Sequence, residues 1–195
     1  MWRDDTVAEI EIQNIVASTR IADSLDLKTL SQDMDEAGVT YNPKQFPGLV
    51  YRMREPKVAV LLFSSGKVVC TGGKSVKQVR EAVRKVAERA AAAGAKVNDD
   101  LDIQIQNIVA VADLHTHFDL RLIATTLQSE GVEYEPEQFP GLVYRIGDPK
   151  AVILVFRSGK VVCTGTKTPE DAALAVDRFV DALKGIYRFP RRHSC

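Results

Sequence analysis

Short β-branched stretches separated by turn residues alternate with amphipathic helical patterns along this chain, and the series runs twice. Ile10–Ala17 and Ile103–Ala110 read as strands. Their alternation sets Asn14 and Val16 on one face and Gln13 and Ile15 on the other, and Asn107 and Val109 repeat the arrangement. Asp26 and Asp119 stand where a helix needs its N-cap. Leu27, Leu30 and Met34, or Leu120, Ile123 and Leu127, follow at helical spacing, and Gly38 and Gly131 are expected to stop those helices. Val39–Tyr41 and Val132–Tyr134 read as short strands closed by Asn42-Pro43 and Glu135-Pro136. Three further strands follow in each half: Gly48–Met53, Lys57–Phe63 and Val68–Thr71, then Gly141–Ile146, Lys150–Phe156 and Val161–Thr164. Hairpin turns are expected at Ser65-Gly66 and Ser158-Gly159. Each half closes with a longer helix, one opened by a Ser-x-x-Gln box at Ser75 and the other by Thr168-Pro169. Val79, Ala82, Val83, Val86 and Ala90 form the apolar stripe of the first, and Ala172, Ala175, Val176, Phe179 and Leu183 that of the second.

The doubling is literal at Gln45–Arg52, QFPGLVYR, which returns unchanged as Gln138–Arg145. The correspondence runs without a gap from Ile12–Gly72 to Ile105–Gly165, with just over half of the positions identical. A repeat of that length is a duplicated domain. It divides the chain into 1–97 and 98–195, joined through Ala91–Asp102, each half large enough for its own core. The fold class is therefore α+β, two tandem pseudo-symmetric repeats with antiparallel strands.

Composition adds mainly exclusions. The first residues are charged (Arg3, Asp4, Asp5, Glu9, Glu11) and no apolar run approaches the ~18 residues of a membrane span, so a soluble intracellular chain with no membrane partner is expected. Cys70 and Cys163 share a repeat position and read as small buried hydrophobes, while Cys195 reads as an exposed thiol. Lys+Arg and Asp+Glu are both 26, so overall charge does not announce a nucleic acid. Asp113, His115, His117 and Asp119 alternate as metal ligands could, but the other copy has Arg20, Ala22, Ser24 and Asp26, and a loop entering a helix explains the stretch better. No nucleophile with a base, glycine-rich phosphate loop or carboxylate pair recurs in both halves, so neither an enzyme nor a cofactor is expected.

The informative anomaly is a sheet that is apolar on both faces. Two helices per half can cover one face, and the other should then be polar. Instead Val16, Leu61, Phe63 and Val69, with Val109, Leu154, Phe156 and Val162, are left on the side opposite the core. A contiguous apolar patch of this kind marks an interaction site; a third layer or a dimer interface is the structural alternative. Around it Arg52, Arg145, Lys67, Lys160, Lys74 and Lys167 recur in both copies, as a charged partner of two-fold symmetry such as duplex DNA would require.

The paired QNIV, QFPGLVYR and SGKVVCTG motifs resemble those of the TATA-box-binding protein family, in its archaeal form and eukaryotic C-terminal core, from about Glu11 to Leu183. The resemblance implies a saddle-shaped, ten-stranded antiparallel sheet with four helices on its convex face, its concave face bound to the DNA minor groove. It implies a general transcription initiation factor that kinks A·T-rich promoter DNA and nucleates assembly with a transcription factor B and RNA polymerase. Its location would be the cytoplasmic nucleoid in an archaeon or the nucleus in a eukaryote. Carried over by position, Phe46, Phe63, Phe139 and Phe156 match the wedging phenylalanines, and Asn14, Asn107, Thr71 and Thr164 the central minor-groove hydrogen-bonding residues. Val16, Leu61, Val69, Val109, Leu154 and Val162 match the apolar floor, and Arg52 and Arg145 the phosphate-contacting arginines. Such a surface selects A·T pairs because G·C adds an amino donor to the minor groove.

Two near-identical halves can hardly distinguish one direction along DNA from the other, so asymmetric residues matter. Glu135 and Glu137 replace Asn42 and Lys44 of the first copy and are expected to meet a basic surface of transcription factor B. Lys74–Ala93 is mainly basic and Lys167–Leu183 mainly acidic, which fits either solvated helix faces or a basic docking face for a partner or upstream DNA. The C-terminal RFPRRHSC is basic where archaeal relatives lead one to expect an acidic tail. A tandem single-stranded RNA or DNA binder is the alternative function, since aromatics on an open sheet also stack bases. Self-association through the apolar face without DNA also stays open.

Overall fold

The computed structural model describes residues 9–34, 38–127 and 131–189. The first N-terminal charges (Arg3, Asp4, Asp5), Cys195 and the basic stretch beyond Phe189 lie outside the described residues. In chain order the elements are β1 (Glu11–Arg20), α1 (Leu27–Asp33), β2 (Val39–Tyr41), β3 (Leu49–Met53), β4 (Val58–Leu62), β5 (Lys67–Gly73) and α2 (Val76–Ala92). The series repeats as β6 (Gln104–Asp113), α3 (Leu120–Leu127), β7 (Val132–Glu133), β8 (Leu142–Ile146), β9 (Ala151–Val155), β10 (Lys160–Thr166) and α4 (Pro169–Leu183). Among the described residues one compact unit is Gln13–Asn107, and the other combines 9–12 with 108–189.

The first repeat carries the antiparallel strand order β2-β3-β4-β5-β1, and the second β6-β10-β9-β8-β7. β1 runs three residues beyond the alternating stretch because Ser18, Thr19 and Arg20 pair with Val69, Val68 and Lys67. Each sheet buries alternate residues. Ile15, Ala17, Val60, Leu62, Val68 and Cys70 form the strand side of the first core, with Val79, Ala82, Val83, Val86 and Ala90 of α2 all buried. In the second, Ile153, Val155, Val161 and Cys163 pack with Ala172, Ala175, Val176, Phe179 and Leu183 of α4. Phe179 is fully buried, its ring 5.7 Å from that of Tyr144 and edge-on to Phe118 at 6.4 Å. Burying a side chain of this kind contributes about 1.5–3 kcal/mol.

The caps follow their residues. The Asp26 carboxylate accepts hydrogen bonds from Lys28 N and Thr29 N, and Asp119 from Arg121 N and Leu122 N. Ser75 Oγ accepts from Gln78 N, while Gln78 Oε1 reaches back to Lys74 N, one residue earlier than the usual box. Thr168 Oγ1 accepts from Asp171 N ahead of Pro169.

Gly38 does not stop α1 as expected. The helix ends at Asp33 with Met34 as its C-cap, and Gly38 (φ +117°) opens β2, where its carbonyl accepts from Arg52 N at 2.9 Å. A Cβ there would run into the Arg52 carbonyl oxygen, and one on Gly131 into that of Arg145, so these glycines permit two backbones to meet. Asp113, His115 and Asp119 are absorbed locally. Asp113 Oδ1 accepts from His115 N, His117 Nδ1 lies 3.1 Å from the Arg157 carbonyl, and Asp119 caps α3. Among the described residues no three His, Cys, Asp or Glu side chains gather as a metal site, and no helix is long and apolar enough to cross a membrane.

Candidate nucleic-acid interface

Opposite the helices, cross-strand pairing assembles continuous rows. In the first repeat Val50 pairs with Leu61, Leu61 with Val69, and Val69 with Ser18. In the second the row is Val143, Leu154, Val162 and Val111. A neighbouring row joins Arg52 to Ala59 and Thr71, and its repeat joins Arg145 to Val152 and Thr164. Val16, Leu61, Val69, Val109, Leu154 and Val162 are all partly exposed on this face while their strand neighbours are buried. Val50, Val143, Ser18, Val111, Ala59 and Val152 belong to the same face but escaped the sequence reading. Their signal was available in the alternation of the third and fourth strands and in the last residues of the first.

Beside each row stands a phenylalanine pair. Phe46 comes from the loop before β3 and Phe63 from the end of β4, and their centroids lie 5.8 Å apart at an interplanar angle of 66°. Phe139 and Phe156 repeat this at 5.9 Å and 68°. The loop that presents Phe46 is tied by Gln45 N and Phe46 N donating to the Asn42 carbonyl, and Gln138 N and Phe139 N do the same at Glu135. Gly48 is required beneath the pair: a Cβ would sit 2.7 Å from Phe46 Cε1 and 3.0 Å from the Leu62 carbonyl oxygen, and Gly141 is equally confined.

The polar residues of the face are few. Asn14 Oδ1 accepts from Gly72 N at 2.7 Å and from Thr71 Oγ1 at 3.2 Å. Asn107 and Thr164 are half-buried at the matching positions. Lys67 and Lys160 are exposed at strand starts, in the same alternation as Val69 and Val162. Lys74 Nζ lies 3.4 Å from Gln13 Oε1, and Lys167 is exposed. The two arginines differ: Arg145 Nη2 is 3.3 Å from Glu133, whereas the first copy has Thr40 at that position. Arg157, beside Phe156, is another cation that the sequence reading passed over. Its hydrogen bond to Tyr134 Oη raises its pKa above the ordinary value.

Glu135 and Glu137 are both exposed in the loop before Phe139. On α2, Lys77, Arg80 and Arg84 are exposed, Lys85 is paired with Glu81 at 2.7 Å, and Arg89 lies over the Tyr51 ring at 5.4 Å. Cys70 and Cys163 are fully buried, and burial pushes both thiols up to about 11.

Residues 9–91 and 102–186 match, as two successive copies, the family described as "Transcription factor TFIID (or TATA-binding protein, TBP)". The chain is 51% identical over 176 residues to the TATA-box-binding protein of Archaeoglobus fulgidus, covering 90% of this chain and 95% of that protein. It is 52% identical over 178 residues to that of Thermoplasma volcanium, covering 91% and 96%. The solved structure of Methanococcus jannaschii TBP superposes with a TM-score of 0.81 at 50% identity, over 91% of this chain and 99% of that one. With its ten strands and four helices in two tandem repeats, the chain belongs to the TATA-box-binding protein family of transcription factors, of archaeal type.

Proposed function

We propose that the chain is a transcription initiation factor that binds the minor groove of A·T-rich promoter DNA through the face opposite its helices and kinks the duplex there. The observation that carries this reading is the apolar row Val50–Leu61–Val69 and its repeat Val143–Leu154–Val162, each with a phenylalanine pair beside it. Phe46, Phe63, Phe139 and Phe156 wedge between base pairs at the two ends of the contact. Asn14, Thr71, Asn107 and Thr164 hydrogen-bond at its centre, over a floor of Val16, Leu61, Val69, Val109, Leu154 and Val162. Arg52, Arg145, Lys67, Lys160, Lys74 and Lys167 neutralise phosphates. Minor-groove wedging costs a few kcal/mol per unstacked step, a general value for proteins of this family and others like it, and is least costly at flexible pyrimidine–purine steps.

Energy transfer between dyes on the two ends of an A·T-rich duplex tests the reading. Binding should shorten the end-to-end distance, and an unlabelled single strand of the same sequence should compete poorly. Preferential capture of the single strand, with the duplex left straight, would establish the single-strand binder instead.

Glu135 and Glu137 give the second repeat an acidic loop where the first has Asn42 and Lys44. They dock a basic surface of transcription factor B and so orient assembly with RNA polymerase. Reversing both charges should weaken the ternary complex and leave binary DNA binding intact; an unweakened ternary complex removes this role.

A further inference from the structure

The register of β1 against β5 slips at one point. Ala17 pairs with Cys70 and Ile15 with Gly73, so Thr71 and Gly72 together stand opposite Val16 alone. This is a β-bulge, and Gly72 adopts φ +98°, a conformation that L side chains rarely take. The extra residue brings Thr71 Oγ1 and Gly72 N to the same side-chain oxygen, Asn14 Oδ1. A backbone N–H can only donate, so Gly72 fixes which end of the Asn14 amide is turned inward. The acceptor end is held by two donors, and the two N–H bonds of Nδ2 are what the amide can offer to a ligand.

We propose that Gly72 is a positioning residue for base selectivity: by holding Asn14 as a donor, it makes the centre of the face repel the amino group of a G·C pair. The inference rests on the minor-groove reading above. In that groove A·T and T·A offer only acceptors, while guanine adds an N2 amino donor. A donor-presenting amide bonds to the former and opposes the latter. An amide free to turn over would present its oxygen to the guanine amino group and accept from it. Selectivity at this point then resides in an interaction made unfavourable for the wrong base.

The site has room for a substitution that acts through the backbone alone. A Cβ on Gly72 would meet nothing closer than Val58 Cα at 3.5 Å, so Gly72→Ala perturbs the backbone angle and does not collide with the core. Inosine separates the amino group from every other property of the pair, because an I·C pair lacks the minor-groove amino group of G·C. A set of A·T-rich duplexes carrying one I·C or one G·C pair at successive positions is titrated against wild type, Gly72→Ala and Thr71→Val, with folding checked by thermal unfolding. For wild type the G·C over I·C penalty should peak near the centre of the site. Gly72→Ala should reduce that penalty at least threefold at one or two positions near the centre, with the positions toward the ends of the site as internal control. Thr71→Val keeps the bulge and the Gly72 N–H but removes a hydroxyl that itself belongs to the DNA-facing set, so it should lower overall affinity while changing the ratio less than Gly72→Ala does.

If wild type ignores the A·T-rich duplex altogether, the minor-groove reading falls. If wild type selects against G·C but Gly72→Ala keeps the wild-type ratio at every position, Gly72 does not set the amide and the inference is overturned. If Gly72→Ala does not fold, deletion of Gly72, which makes the β5–β1 ladder regular and removes the same N–H, decides by the same ratio.

Discussion

Phe46 and Phe63 meet edge to face with ring centroids 5.8 Å apart, although one rides on a loop and the other on a strand end. The contact holds each ring against the other before any ligand arrives, in the arrangement that aromatic quadrupoles favour. Gly48 makes room for it. Gly48→Ala is expected to leave the fold intact and displace the Phe46 ring, reducing duplex bending in the end-labelled assay and weakening binding about tenfold, about 1.4 kcal/mol. Phe63→Ala should weaken bending at least as much.

Arg52 and Arg145 are identical in sequence setting but not in their neighbours. Arg145 faces Glu133 at 3.3 Å with both side chains half exposed, a pair worth about 0–1 kcal/mol. Arg52→Ala should reduce the slope of log K against log salt by about 1, and Arg145→Ala by less, because its Glu133 partner already offsets part of its charge. Glu133→Ala should strengthen binding at low salt. Titrations of one duplex at several salt concentrations measure all three.

Thr19 and Thr166 bury their hydroxyls without a hydrogen-bond partner among the described residues. Valine has nearly the same shape and suits a strand. Thr19→Val and Thr166→Val are each expected to stabilise the fold by about 1 kcal/mol, visible as a rise of ~2–4 °C in unfolding temperature.

The thiols of Cys70 and Cys163 are pushed up to about 11 by burial, from an ordinary value of 9.0. The native fold therefore retains protons that the unfolded chain releases. Their contribution to stability is fully present below about pH 9 and is lost as pH rises from about 9 through about 11. Guanidinium unfolding across that range should show a decline that the Cys70→Ala, Cys163→Ala double variant lacks. In native protein at neutral pH both thiols should resist alkylation.

Much of this was legible in the sequence because it is carried by local pattern. Alternation placed Asn14, Val16, Leu61 and Val69 on the face away from the core, and Asp26, Ser75 and Thr168 announced their helices by chemistry that acts within one turn. What escaped depends on partners distant in the chain. Gly38 looks like a helix stop until Arg52 is seen against it. The last residues of β1 are strand because Lys67 and Val68 pair with them. Glu133 and Arg145 become an ion pair only when β7 and β8 align, and the bulge at Gly72 exists only in the pairing of β5 with β1. Side-chain period can be counted along one strand, whereas register requires two.

That bulge also bears on chain length. Removing Gly72 would make the β5–β1 ladder regular: Cys70 would stay opposite Ala17, Thr71 would face Val16 alone and Gly73 would stay opposite Ile15. Val68, Cys70 and Gly73 would keep their buried places, and what would be lost is the N–H that Gly72 donates to Asn14. A single-residue deletion at the bulge would thus spare the core, whereas one inside the regular run Val68–Cys70 would turn over every residue on one side of it.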